Sequence, residues 1–281
     1  MPCDLHTHSV FSDGTASPEE MVSLAAKQKL YAVALTDHNT VRGLERFAAA
    51  AKNKAVHAVG GCEISCGYKG KELHILALFV DADRRNDVMA FTELFRKHKE
   101  ETNRLLCREL TKLGYATDYD EIKKQYFGYI NRAHIAKHLV ECGYAKDIAE
   151  VFGLIFKKDG ITYRPKALPD AFETLDFINS ISAVSVLAHP FLSFKDSQNL
   201  FDFLKAAKDL RLDAMETNYS LYSPETEAQA EKIAEHFSLL KSGGSDYHAD
   251  VKPNIRLGTG LGGLYVPNEY YDRLAERKNC K

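Results

Sequence analysis

Nine ionisable side chains have the types and spacing that a buried multi-metal site requires: His6, His8, Asp13, His38, Glu63, His74, His189, Asp246 and His248. Mixed imidazole and carboxylate donors suit Mn²⁺, Fe²⁺ or Zn²⁺ better than a pure magnesium or calcium site. Nine ligands are too many for one ion and fit two or three. His6 and His8 lie two apart on an expected strand, so both side chains leave the same face. Asp246 and His248 repeat that spacing after Gly243-Gly244, where the backbone can come close to a neighbour. His189 precedes Pro190 at the end of the apolar run Ala183–Ala188, where packing alone does not call for a histidine. Glu63 follows Gly60-Gly61, and a carboxylate there is placed to bridge two ions. Asp13 sits in the turn Ser12-Asp13-Gly14, and His74 begins or lies within a strand; taken singly, a turn aspartate and a core histidine explain them as well. Asp37 and His38 face opposite sides of their strand. His38 is read as the ligand, and Asp37 either supports a ligand from behind or transfers a proton near the substrate.

The elements that must position these residues alternate. Strands are expected at Cys3–His8, Ala32–Thr36, Ala55–Ile64, Glu72–Val80, Ala183–Ala188, Ala214–Asn218 and Leu239–Ser242. Amphipathic helices fall between them, at Pro18–Lys29, Gly43–Lys52, Gln198–Leu210 and Pro224–Phe237. Ser17, Pro18 and Glu20 spell the start of the first helix as N-cap, first-turn proline and capping box. The alternation is that of βα units with a parallel sheet. Most of the strands end in a polar or ionisable residue, which in α/β barrels marks the active-site face.

The pattern breaks between about residues 87 and 165, where Val88–Leu113, Ala133–Cys142 and Ile148–Phe156 read as helices. A barrel of residues 1–86 and 166–281 is thus expected to carry an inserted helical cap of residues 87–165. The 281 residues, 45% of them hydrophobic, can bury a core of that size. A net charge of −2 offers no global field for long nucleic acid or an anionic membrane. No apolar stretch approaches the ~20 residues of a membrane span. The N-terminus lacks a secretory layout, and six cysteines without a framework suggest reduced thiols in the cytoplasm. Cys62-x-x-x-Cys66 is one pair of those thiols rather than half of a zinc site.

His6-Thr7-His8, Asp37-His38, His189-Pro190 and Asp246-x-His248 stand in the order of the four motifs of the PHP (polymerase and histidinol phosphatase) family of metal-dependent phosphoesterases. The chain resembles that family over roughly residues 3 to 265. The resemblance implies a distorted (βα)₇ barrel and a trinuclear cluster of divalent ions, Mn²⁺ first, with Fe²⁺ or Zn²⁺ as alternatives. It implies that His6, His8, Glu63 and Asp246 hold one ion. Glu63, His74 and His189 would hold a second, and Asp13, His38 and His248 a third. The chemistry implied is attack of a metal-held hydroxide on phosphorus, with Asp37 or a water giving the leaving group its proton.

The insertion points to the substrate. Asn131-Arg132-Ala133-His134 opens a helix, and a capped helix N-terminus beside an arginine suits phosphate, although an ordinary solvated helix start looks the same. His134 and His138 have zinc-protease spacing but lack the glutamate between them. The piece resembles the Arg-x-His segment of the PHP branch that contains 3′,5′-nucleotide bisphosphate phosphatases and short-RNA 5′→3′ exonucleases. Ala133 stands where that branch usually has proline. The resemblance implies that Asn131, Arg132 and His134 bind a second phosphate, and that the 5′-phosphate of a small nucleotide or short 5′-phosphorylated RNA is hydrolysed. Another small-molecule phosphomonoesterase, such as a histidinol phosphatase, is the nearer alternative; a non-catalytic metal-binding module is the more distant one. Tyr129, Arg164 and Tyr247 are further candidates for lining the pocket. Oligomeric state is not readable.

Overall fold

The structure is a computed structural model that describes residues 1–126, 130–158, 161, 168–194 and 196–281. Among these, eight strands form one sheet in the order β7-β6-β5-β4-β3-β2-β1-β8. They are β1 (Pro2–Asp4), β2 (Ala32–Leu35), β3 (His57–Tyr68), β4 (Lys71–Leu78), β5 (Val184–Leu187), β6 (Ala214–Tyr219), β7 (Leu240–Gly244) and β8 (Val266–Pro267). The ends of the sheet approach one another where Leu5 N–H donates to Gly243 O at 3.1 Å and Thr7 bridges Tyr247. The result is a nearly closed, distorted barrel of seven main strands, with β8 added antiparallel to β1.

Strand period two sorts the side chains. Cys3, Ala32, Ala34, Val59, Leu76, Leu78, Val184, Val186 and Ala214 form one cluster, the barrel interior. Their alternates Val33, Leu35, Ile75, Ala77, Leu187 and Met215 pack outward with helix residues such as Met21, Phe47, Leu175 and Phe203. Both faces are buried, so β2 and β5 read as continuous apolar runs.

The helices are α1 (Pro18–Lys27), α2 (Leu44–Ala51), α3 (Arg85–Lys112), α4 (Tyr119–Lys123), α5 (Arg132–Glu141), α6 (Ile148–Glu150), α7 (Ala171–Ser180), α8 (Pro190–Ser193), α9 (Ser197–Asp209), α10 (Pro224–His236) and α11 (Asn268–Asn279). The capping box at α1 has formed: Ser17 N–H donates to Glu20 Oε2 at 2.7 Å and Glu20 N–H to Ser17 Oγ at 3.2 Å. A helical body from α3 to the π turn Val151–Ile155 has its own core of Leu106, Leu110, Tyr119, Ile122, Ile135 and Leu139. The expected edge of the insertion at 165/166 lies outside the described residues.

One expectation is corrected. The sheet is not parallel throughout, because β4 runs antiparallel to both β3 and β5. Tyr68 pairs with Lys71 across a two-residue turn in which Lys69 and Gly70 both have positive φ, 46° and 76°. That is the turn geometry that folds a strand straight back on itself. Strand β3 also runs four residues past the expected end at Ile64. Among the described residues, no helix is long and apolar enough to cross a membrane.

Leu76 is fully buried inside the barrel. Leu76→Ala should cost about 2–5 kcal/mol in urea unfolding, whereas Ser17→Ala, which loses one helix cap, should cost about 1 kcal/mol. Equal losses would contradict this division of the core.

Candidate metal centre

All nine expected ligands gather at the end of the barrel where the parallel strands finish. His6 and His8 follow β1, His38 follows β2, Glu63 and His74 lie on β3 and β4, His189 follows β5, and Asp246 and His248 follow β7. The strand carrying His6 and His8 ends at Asp4, earlier than expected. The two rings still converge, because the bridge from Thr7 to Tyr247 keeps the segment extended. A Cβ on Gly244 would stand 2.5 Å from His6 Cβ, so glycine is what lets the two ends of the sheet meet at this point. His189 and Asp246 hold left-handed backbone angles, φ +29° and +54°. Such angles cost non-glycine residues about 1–3 kcal/mol each and concentrate at functional sites.

Glu63 is the hub. Its Oε2 lies 3.2 Å from His6 Nε2, 3.2 Å from His8 Nε2 and 2.9 Å from His38 Nδ1. Its Oε1 lies 2.8 Å from His74 Nδ1 and 3.0 Å from His189 Nε2. At one side, Asp13 Oδ1 lies 3.2 Å from His248 Nε2, and Asp13 Oδ2 lies 3.8 Å from His38 Nε2. At another, Asp246 Oδ1 stands 3.3 Å from His8 Nε2 and 3.9 Å from His6 Nε2. The donor atoms fall into four overlapping groups within 4.8 Å: His8-Asp13-His38-His248, His6-Glu63-His189, His6-His8-Asp246 and His38-Glu63-His74. This grouping overlaps the three sets drawn from the resemblance without matching them, since His38 also faces Glu63 and His8 also faces Asp13.

The donors fit divalent ions. His6 Nε2, His8 Nε2, His38 Nδ1, His74 Nδ1, Asp13 Oδ1 and Glu63 Oε2 are buried with no hydrogen-bond partner in the protein. Burying one such group costs about 1–3 kcal/mol, and here six of them point at one another. Cations shared among these lone pairs remove that cost.

Electrostatics agree. Burial disfavours charge on every imidazole, but at His8 it is outweighed by Asp246 and Glu63, which hold its pKa up to about 9. Glu63 and Glu72 likewise outweigh burial at His74 and hold it up to about 10. His6 is raised well above the ordinary range by Glu216 and Glu63 against the same penalty. Burial prevails at His38 and pulls it down to about 4. Burial opposes ionisation of Glu63 too, yet His38, His74 and His6 hold it well below the usual carboxylate range.

Several supporting residues escaped the sequence reading. Glu216 on β6 is fully buried, accepts from His6 Nδ1 at 2.9 Å and accepts the His189 backbone N–H at 2.6 Å. It therefore leaves His6 Nε2 as the free lone pair. Tyr219 and Lys252 donate to Asp246 Oδ2 at 2.8 and 2.7 Å, turning Oδ1 toward the histidines. The available signal was a carboxylate directly after the apolar pair Ala214-Met215 at the start of an expected strand. Nothing local distinguished Tyr219 or Lys252.

Asp37 is 1% exposed and takes Ser9 N–H and Ser12 Oγ–H on Oδ1 at 2.7 and 2.6 Å, and Ser9 Oγ–H on Oδ2 at 2.7 Å. Both oxygens are occupied, so Asp37 pins the loop that carries His8 and Asp13. Asn131 caps α5 and reaches the cluster, donating Nδ2–H to Asp13 Oδ2 at 2.7 Å. His134 is buried against the Tyr126 ring, and its Nδ1 accepts the Asn131 N–H at 3.0 Å. Burial pulls the His134 pKa down to about 4. The ring is then neutral, with its proton on Nε2. The Arg132 guanidinium lies 5.6 Å from the Phe152 ring; burial opposes charge on Glu72, the partner of His74, but His74 and Lys99, with a smaller part from Arg132, hold its carboxyl well below the usual range. Cys62 and Cys66 are buried and free. Tyr247 packs beside the core and lines a groove with Thr15 and Glu20. Tyr129 and Arg164 lie outside the described residues.

The chain is similar to known proteins along nearly its whole length. The PHP domain model matches residues 4–178. The 5′-3′ exoribonuclease Rnm of Salmonella typhimurium is 29% identical over 261 residues, 92% of this chain and 88% of that protein. The 3′,5′-nucleoside bisphosphate phosphatase of Chromobacterium violaceum is 29% identical over 255 residues, 88% and 87% of the two chains. A crystal structure from Bifidobacterium adolescentis, assigned as a metal-dependent phosphoesterase, superposes with a TM-score of 0.85 at 26% identity, covering 99% of this chain and 98% of that one.

Two measurements test the centre. Protonated His8 and His74 must release protons to bind a cation, so Mn²⁺ titration near neutral pH should liberate protons, and affinity should rise with pH through the neutral range. Calorimetry in buffers of different ionisation enthalpy reads this directly; no buffer dependence would contradict it. Glu216→Gln should weaken metal binding roughly 10–100-fold in chelator competition, while circular dichroism shows the fold retained.

Proposed function

Because this chain belongs to the PHP domain family, we propose that it is a metal-dependent hydrolase of phosphoric esters, acting on small nucleotides that carry a second phosphate, such as 3′,5′-nucleoside bisphosphates, and on short 5′-phosphorylated RNA. The observation that carries this reading is the set of six buried, mutually facing donor atoms without hydrogen-bond partners, joined to a helix N-terminus that touches the same cluster through Asn131. The two relatives named for RNA and for bisphosphate cleavage support the substrate class.

The nine donors would hold two or three divalent ions, of which Mn²⁺ is our first choice. Such ions make water nucleophilic near neutral pH and neutralise phosphoryl oxygens. The chain's own residues do the rest. Glu216 and Lys252 fix the rings and carboxylate that face the substrate phosphorus. Asp37 holds the loop of His8 and Asp13 in place without reaching the reacting atoms. Arg132, the first residue of α5, offers a planar fork of donors to the second phosphate, and the positive end of the α5 dipole favours an anion there. The proton on His134 Nε2 gives that phosphate a further donor. Hydrolysis joins a water oxygen to phosphorus and leaves the bonding pair of the broken P–O bond on the departing oxygen, which takes up a proton. Six free cysteines fit a reducing, cytoplasmic setting.

Phosphate release from the manganese-loaded protein tests the assignment. Adenosine 3′,5′-bisphosphate should be preferred over AMP and histidinol phosphate. Arg132→Ala should raise KM for the bisphosphate by roughly tenfold or more, the loss of one charge-assisted pair, with a smaller effect on AMP. Preference for histidinol phosphate, indifferent to Arg132, would sink the substrate assignment and keep the metal centre.

A further inference from the structure

A groove of about 560 Å³ runs between barrel and cap, lined on the barrel side by Phe11, Thr40 and Arg42 and on the cap side by α3, the end of α4 and Tyr126. Helix α3 presents Glu93, Arg96, Lys97 and Glu100 to it. That spacing of i, i+3, i+4 and i+7 is a single stripe of helix surface, about 10 Å long. With Arg42, Lys123 and Lys124, the lining carries five cations against three carboxylates. Four of those cations stand in ion pairs, Lys124 with Glu121 at 2.6 Å from outside the lining, and among the described residues Arg42 has none. Glu93 contacts Arg96 and lies 3.6 Å from Lys97, and Glu100 lies 2.7 Å from Lys123. The third carboxylate, Asp120, is engaged by Arg104 from outside the groove at 2.7 Å. Arg42 is exposed on the opposite wall.

Both walls of the groove adjoin segments that carry or touch candidate ligands. Phe11 belongs to the loop between His8 and Asp13, and Thr40 lies two residues beyond His38. On the cap side, Tyr126 packs on the His134 ring at 4.1 Å, His134 accepts from Asn131, and Asn131 donates to Asp13. The groove therefore lies beside the candidate centre, with cations along it and an aromatic residue on each wall. Cations that follow a backbone, with aromatic rings among them, are the surface chemistry of single-stranded nucleic acid binding.

We propose that this groove binds the sugar-phosphate backbone of a short single-stranded RNA whose 5′-phosphorylated nucleotide occupies the metal centre, with Arg42 and Lys97 on facing walls contacting successive phosphates. The assignment deepens the reading given above and rests on it for the placement of the 5′ end. A mononucleotide bisphosphate ends at the metal centre and the start of α5, so the groove contributes only to longer chains. It accounts for how one centre serves both substrate sizes in a protein with no global positive charge.

The test is fluorescence anisotropy of a 3′-labelled, 5′-phosphorylated pentaribonucleotide, measured across a salt series on the full chain, beside phosphate release from adenosine 3′,5′-bisphosphate. The double variant Arg42→Ser/Lys97→Ser changes two exposed side chains. It should bind the pentamer about tenfold more weakly, and the slope of log affinity against log salt should shrink by about 1.4, as expected for two lost phosphate contacts on a single strand. Bisphosphate hydrolysis should be unchanged, and Lys112→Ser at the other end of α3, outside the groove lining, should alter neither. An unchanged slope, or pentamer binding equal to wild type, would overturn the groove assignment, as would equal loss on both substrates. Wild-type protein that hydrolyses neither substrate but binds the pentamer through Arg42 and Lys97 would sink the reaction assigned above and leave the groove standing.

Discussion

Glu63 stands among five imidazoles, with His6, His8, His38, His74 and His189 all within 3.2 Å of its two oxygens. No arrangement of protein hydrogen bonds satisfies that many buried lone pairs at once. The rest of the end of the barrel is built around holding them together. Two candidate ligands sit at left-handed backbone positions, and a glycine is needed where the sheet ends meet. These are costs that a well-packed apolar barrel can carry and that a bound cation would offset.

Around the hub, buried carboxylates act as clamps more than as donors. Asp4 accepts from the Ser245 N–H at 2.8 Å and the Gly258 N–H at 2.7 Å, tying the first strand to the last loops. Asp37 does the same for the loop behind His8, and Glu216 for His6 and His189. Each clamp joins segments far apart in the chain, so the position of every donor depends on the barrel being closed. Folding and site formation are in that sense one event.

The cap meets a candidate ligand directly through Asn131. Asn131 is at once the N-cap of α5 and a partner of Asp13, so the orientation of the cap helix and the carboxylate of a candidate ligand are set by the same side chain. His134 completes that cap from inside the helix and keeps the start of α5, with Arg132, beside the centre. Tyr126, which lines the groove under α3, packs on the His134 ring beside this junction.

Much of this was legible in the sequence because it is local. A histidine that closes an apolar run has no packing reason to be there, and His38 and His189 carry that mark, while His6 with His8 and Asp246 with His248 carry the i, i+2 spacing that points two side chains the same way. The capping box at Ser17 and Glu20 is legible for the same reason, since its partners are three residues apart. What required the tertiary structure is what depends on distant neighbours. The antiparallel course of β4 is one case, because periodicity shows a strand and not its direction. The capture of His6 by Glu216, 210 residues away, is another. The sharing of His38 between Asp13 and Glu63, and the loop-holding duty of Asp37, are further ones. Residue type and spacing determined which atoms can bind metal; closure of the barrel decided which of them face one another, because hydrogen bonds between strands set those distances and no local pattern encodes them.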